Sequence, residues 1–332
     1  MNRFADHFDL TIPLALAPMA LASGGDLASA CAQAGTLGLV GGGYGDLEWT
    51  SREYQIAVEA IGDSAAAMKR LGCGFISWKL AENADALDWL IDNHRPAALM
   101  LSFGDPRPFS KRIIDSGAWL ICQIHSLKDL PLAVEAGAKI IVAQGTEAGG
   151  HGATQERGRG TFSFISETAD WLAVHAPETY LLGAGGIADG RGLAAAMMLG
   201  ADGAMMGSRF WATRECLANP QAKKIATETD GDNTARSSVF DILRRKNWPE
   251  SFDFRAIRND LYRQWEDRID KLQNDPEEGR AAYDEGVRQA DFNRAHIGIG
   301  EAAGMISNVP DAATLIGDIE SEMKSALKRL NP

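Results

Sequence analysis

A histidine four residues after a glutamate, set among glycines, is the part of this chain best equipped for chemistry. Residues 140–159 read IIVAQGTEAGGHGATQERGR. Glu147 supplies a carboxylate. His151 supplies an imidazole, whose ordinary pKa lets it take or give a proton near neutrality. Gly149, Gly150 and Gly152 flank the histidine, so backbone N–H groups can approach a flat or anionic ligand with no Cβ between. Glu147 has two readings, as the group that orients His151 or as a cap for its own loop. A lone loop histidine is ordinarily just solvated. This one follows an apolar run (Ile140, Ile141, Val142, Ala143) and a Gln, Gln144, and loops on a rigid scaffold carry function disproportionately.

Two further glycine turns stand downstream, Gly183-Ala184-Gly185-Gly186-Ile187-Ala188-Asp189 and Met206-Gly207-Ser208-Arg209. Each offers backbone N–H groups without steric bulk, and the second adds a hydroxyl. Anions favour such places. Asp189 suits the cap of a helix that Gly200 would close.

The elements that position these turns follow from a repeated local grammar. An Ala-rich helical stretch ends at a glycine, and a short apolar run follows. Gly35, Gly72, Gly117, Gly137 and Gly200 each stand in that place. Runs at 97–102 and 180–184 enter through Pro96 and Pro177 instead, and a first run covers 12–19. The sum is eight strands alternating with helices before about residue 208, the arithmetic of an α/β (β/α)8 TIM barrel. An open doubly wound sheet would ordinarily carry G-x-G-x-x-G after its first strand; here that place holds Ala17-Pro18-Met19-Ala20. In a barrel the glycine turns after strands seven and eight are where a phosphate commonly sits. The expected ligand is therefore a phosphorylated, flat cofactor that carries redox chemistry the mouth's own side chains lack.

From about Trp211 the texture becomes charged, with no strand-like runs over 215–290. Residues 255–272 place Ile257, Leu261, Trp265 and Ile269 at helical spacing. The expected division is a barrel domain of 1–212 and 291–332 with a helical appendage or lid of 213–290. The 255–272 helix is read either as part of that lid or as a homodimer surface. Asp311 after Pro310 should cap a last barrel helix running through Leu330.

The whole composition agrees with an ordinary globular protein: 332 residues, 45% hydrophobic and 23% charged. A net charge of −12 argues against nucleic acid or an anionic membrane as partner. Cys31, Cys73, Cys122 and Cys216 are scattered with no metal-binding spacing, which points to core residues in a reducing, cytoplasmic setting. No secretory leader or transit peptide is legible at the N-terminus, and no metal site is expected.

At Ala17-Pro18-Met19, Gln144-Gly145 with Glu147-Ala148-Gly149-Gly150-His151, Ala184 to Gly190, and Met206-Gly207-Ser208-Arg209-Phe210, the sequence resembles the nitronate monooxygenase family, formerly called 2-nitropropane dioxygenases. The resemblance covers roughly residues 10–215. It implies an FMN-dependent flavoprotein oxidoreductase acting on alkyl nitronates, or nitroalkanes, with O2 to give carbonyl compounds and nitrite. It implies that Gln144, Gly149 and Gly150 contact the flavin or its ribityl chain. Gly185, Gly186, Gly207 and Ser208 would hold the phosphate, and Pro18 and Met19 would lie under the ring. Ala17 and Met206 complete the cofactor-binding set, and His151 is the catalytic residue. One departure stands at strand three, where the family often has G-V-N and this chain has Gly72-Cys73-Gly74, so the Asn contact is lost or moved to Ser77 or Lys79. The same motifs also look like flavin-dependent enoyl-acyl-carrier-protein reductases and related quinone reductases, which makes a NAD(P)H-dependent reductase the alternative.

Overall fold

A computed structural model describes residues 2–329. Its largest sheet has eight parallel strands: β1 (Leu14–Leu16), β2 (Gly38–Gly43), β3 (Leu71–Ile76), β4 (Ala98–Ser102), β5 (Trp119–Ile124), β6 (Ile140–Gln144), β8 (Tyr180–Ala184) and β9 (Gly203–Met206). Their spatial order is β1-β9-β8-β6-β5-β4-β3-β2. The two ends meet at a parallel bridge between Ala15 and Leu37. There Leu16 N donates to Leu37 O at 2.8 Å and Leu37 N donates to Leu14 O at 3.0 Å. The sheet is thus closed on itself, with no free edge for another chain to pair with.

Side-chain alternation along each strand builds two cores. Ala15, Leu39, Met100, Ile121, Val142, Leu182 and Met205 point inward and fill the barrel. Leu16, Val40, Cys73, Leu101, Cys122, Ile141 and Met206 point outward, against the helices. All four cysteines are buried and unpaired. A short helix, Arg3–Phe8, closes the barrel floor with Phe4 and Phe8, and Phe8 meets Trp119 edge-on at 5.5 Å. Truncating Phe4 to Ala there removes a fully buried ring, a change worth about 3–5 kcal/mol.

Strand one is shorter than the 12–19 run. Pro13 and Pro18 lack the N–H that a ladder requires, so pairing is confined between them. Asp189 does cap its helix, Gly190–Met198, by accepting from Gly192 N at 2.8 Å. Asp311 likewise caps the helix Ala312–Lys328 by accepting from Thr314 N at 2.8 Å. That last helix packs beside Gly190–Met198, where Gly190 N donates to Glu322 at 2.9 Å. Leu330 lies outside the described residues.

Over residues 215–290 the expectation of a strand-free segment fails. Strands β10 (Thr234–Ser237) and β11 (Phe252–Ile257) pair antiparallel, and β11 pairs on its other side with β7 (Gly150–Ala153). The histidine-bearing loop after β6 is therefore partly a strand. Residues 252–257 alternate Phe252, Phe254 and Ala256 with Asp253, Arg255 and Ile257, a period-two pattern that outweighs the helical spacing of 255–272. The helix begins only at Asp260, after Asn259 caps it through Tyr262 N at 2.9 Å, and ends at Trp265. Leu261 and Trp265 are buried in a separate small core with Phe240, Leu243, Phe254 and Tyr283. No described helix is long and apolar enough to cross a membrane.

Candidate active site

The strands deliver their C-terminal ends to one cleft of about 240 Å³. Ala17, Pro18, Met19, Gln144, Gly149, Gly150, His151, Gly185, Gly186, Gly207 and Ser208 all line it. Met206 does not. It pairs with Leu16 in the ladder and turns its side chain into the outer core, while Met205, one step out of phase, lines the cleft. At strand three neither Ser77 nor Lys79 lines the cleft. Gly74 faces the cleft, tight against Pro18, whereas Ser77 is buried elsewhere and Lys79 pairs with Glu82 at 2.6 Å.

The glycines divide by what they make room for. Gly186 has φ +73, and a Cβ there would stand 2.1 Å from Glu147 Oε2. Gly149 lies so close to the segment Gly298-Ile299-Gly300 that a Cβ would meet Gly300 N at 2.5 Å. At Gly207 a Cβ would have only Ala17 Cβ and Met19 Sδ nearby, each at 3.6 Å, so it would project into the cleft itself. Ser208 Oγ accepts from Gly300 N at 2.9 Å, which leaves its own proton to donate.

Glu147 takes the capping role and not the orienting one. Its Oε1 accepts from Thr161 N at 2.9 Å, at the start of the helix Thr161–His175. The group that orients the histidine is Asp241, on the helix Val239–Leu243, with Oδ1 2.9 Å from His151 Nε2. The ring of His151 stacks on Trp248 with centroids 3.5 Å apart and planes 13° apart, and leans on Phe254 at 4.8 Å. Burial in that aromatic surround pushes its pKa down to about 4, against the opposing pull of Asp241. The imidazole is therefore neutral at neutral pH. With an Nε2 proton donated to the carboxylate, Nδ1 keeps its lone pair for a ligand.

Trp248 is itself held in place. Its Nε1 donates to Tyr44 Oη at 3.1 Å, and Phe103 meets it edge-on at 4.9 Å. Below, Gln144 Oε1 sits 2.9 Å from His125 Nε2 and accepts from Gln123 Nε2 at 3.2 Å. Burial likewise pushes His125 down to about 4. The loop after β6 is tied to the opposite wall by two arginines. Arg236 donates to Ala148 O at 2.8 Å and pairs with Asp253 at 3.0 Å, and Arg255 donates to Thr146 O at 3.1 Å. Burial raises Asp253 to about 6 in spite of Arg236.

Sequence reasoning missed Asp241, Arg244, Trp248 and Phe254, all from the segment taken for a helical lid, as well as His296 just beyond it, Gln123 and Tyr44. The alternation at 252–257 was the available signal, because a strand there must pair with something. Nothing in the local pattern singles out Asp241 among its charged neighbours.

The nitronate monooxygenase family model matches residues 76–322. A nitronate monooxygenase of Neurospora crassa is 29% identical, with 95% of this chain and 89% of that protein covered. The nitronate monooxygenase npaC of Metarhizium robertsii is 31% identical, over 94% of this chain and 90% of that protein. Among solved structures, FabK from Thermotoga maritima superposes with a TM-score of 0.82 at 24% identity, covering 100% of this chain and 98% of that one. A nitroalkane oxidase from Streptomyces ansochromogenes does so with a TM-score of 0.79 at 23% identity, covering 97% and 99%. The two structures establish likeness of fold, and the sequence matches establish more. On the extent of those matches, this chain belongs to the nitronate monooxygenase family, a family of oxidoreductases.

Proposed function

We propose that this protein binds FMN in the cleft and oxidises alkyl nitronates, and nitroalkanes, with O2 to carbonyl compounds and nitrite. The observation that carries the reading is that His151 lines the cleft while Asp241 holds its Nε2 and Trp248 stacks on its ring, which leaves Nδ1 without a protein partner among the described residues. The cleft fits the cofactor. Gly207 keeps open a space that any Cβ would enter, and Gly185 and Gly186 offer N–H groups at the same end. These residues and Ser208 would hold the phosphate, Gln144, Gly149 and Gly150 the flavin or ribityl chain, and Ala17, Pro18 and Met19 the underside of the ring. FMN bound there would supply the electron chemistry that no side chain of the cleft provides.

The chain's own residues handle the proton and the orientation. His151 Nδ1 accepts the α-proton of a neutral nitroalkane, and Asp241 stabilises the imidazolium that results. A substrate that arrives as the nitronate needs no such base. Trp248, Phe254 and Phe103 keep water from the ring of His151, and residues 213–290 form the lid over the barrel mouth.

The test uses purified protein reconstituted with FMN. Oxygen uptake and nitrite release are followed on adding an alkyl nitronate, with NADH and NADPH in parallel oxygen-free cells. Nitrite formed in step with oxygen, and flavin left oxidised by both nicotinamides, supports the reading. Full bleaching by a nicotinamide alone, with no nitrite from the nitronate, would make the protein a reductase.

A further inference from the structure

Among the described residues that line the cleft, one side chain is formally charged: Arg244. The guanidinium lies over the Phe254 ring at 4.8 Å, on the wall that also carries His151 and Trp248. Its nearest carboxylate, Asp241, stands 3.9 Å from Nη1, beyond hydrogen-bond reach, and that oxygen is already taken by His151. Nη1 is buried with no hydrogen-bond partner among the described residues. A buried donor left unmade is costly, and such groups in native structures call for an explanation.

We propose that Arg244 is the anion-recognition residue of the substrate, binding the planar, negatively charged end of a nitronate beside His151. This rests on the nitronate reading of the same cleft. A nitronate presents two oxygens in one plane, as a carboxylate does, and the guanidinium fork matches that geometry where an ammonium does not. Phe254 lies against the guanidinium, with its ring centroid 4.8 Å from Cζ. The anion would complete the donor set that Asp241 leaves open. It follows that the site discriminates by charge. A preformed nitronate gains the arginine contact on entry, whereas a neutral nitroalkane gains it only as its α-proton leaves for His151.

The experiment compares Arg244→Met, which keeps a stem over Phe254, and Arg244→Lys, which keeps the charge without the fork. Flavin content is measured first. Binding of nitrate, a planar monoanion that undergoes no reaction here, is then read from the flavin spectrum, and KM and kcat are read for a preformed nitronate. The expected result is full flavin content and a loss of nitrate affinity of about tenfold to a hundredfold in Arg244→Met. A similar rise in the nitronate KM should accompany it, with kcat little changed, and Arg244→Lys should recover part of both. Lost flavin with unchanged nitrate affinity in the loaded fraction would assign the arginine to the cofactor phosphate and overturn the proposal. Unchanged nitrate affinity and nitronate KM at full flavin content would make it a structural partner of Asp241 and also overturn it. If no nitronate is turned over at all, nitrate binding still decides the matter, so failure of the functional reading and failure of this one are told apart.

Discussion

The two walls of the cleft are built on different terms. The barrel side offers backbone: glycines at the ends of β6, β8 and β9, a Pro-Met turn after β1, and the amide of Gln144. The opposite side offers side chains: Asp241, Arg244, Trp248, Phe254 and His296, carried by the segment between β9 and the last helix. His151 belongs by sequence to the first wall and by its hydrogen bond and stacking to the second. The strand β7 that carries it leaves the barrel to pair with β11, where Phe254 stands opposite it in the ladder. A closed barrel can supply a rigid cradle for a cofactor, but its tight loops leave little room for side chains to enclose a proton-transfer group. The added segment supplies the stacked and tilted rings of Trp248 and Phe254 around His151, with Phe103 from the barrel side, and burial there pushes the histidine's pKa down.

Substitutions on the two walls should have separate effects. On the barrel wall, Gly186→Ala places a Cβ against Glu147 Oε2 at a backbone angle that costs a non-glycine residue about 1–3 kcal/mol. FMN affinity should fall roughly tenfold to a hundredfold by that cost, while turnover per bound flavin holds. Fluorescence titration of the apoprotein with FMN reads the first quantity and flavin-normalised rates the second. On the opposite wall, Trp248→Leu removes the ring stacked on His151. An aromatic pair is worth about 0.5–1.5 kcal/mol beyond its buried area, so kcat on a neutral nitroalkane should drop roughly twofold to tenfold. Flavin binding should be unaffected, and a change in FMN affinity of the same size as the rate loss would erase the distinction.

The smallest effect is on stability against pH, and it draws on both walls. His125 and His151 are each held near 4, and burial drives His296 well below its usual value. In the unfolded chain all three titrate near about 6.5. Between about 6.5 and 4 the unfolded state binds the more protons, so this contribution is whole above the upper value and drains away as pH falls toward the lower. Asp253, raised to about 6, acts in the opposite sense below that pH and offsets part of the loss. Melting temperature followed from pH 7 to pH 4.5 should fall, and His125→Gln should flatten the slope. A slope identical to that of the parent protein would show that His125 does not titrate as its burial implies.

Much of this was legible in the residues, and the limit has a physical basis. Parallel strands buried on both faces leave continuous apolar runs, so the barrel and the order of its loops could be counted off directly. Glycine turns mark their own positions, which is why every glycine expected at the cofactor end lines the cleft. Met206 failed on strand phase, since a one-residue shift exchanges the two faces of a strand. The β10–β11 ribbon was hidden because its pairing partner, β7, lies 100 residues earlier in a stretch rich in glycine. Asp241 was hidden for the same reason: its importance exists only once that ribbon has carried His151 across the mouth.

The added segment, and not the barrel, supplies the carboxylate that holds the histidine proposed to take the proton. Asp241→Asn tests it most directly, with FMN content and turnover of a neutral nitroalkane and of its preformed nitronate measured on one preparation. The predicted result is full FMN content, a loss of roughly a hundredfold on the nitroalkane, in line with a misoriented general base, and a far smaller loss on the nitronate, which has no α-proton to give up. Equal losses on both substrates, or no loss on either, would contradict it.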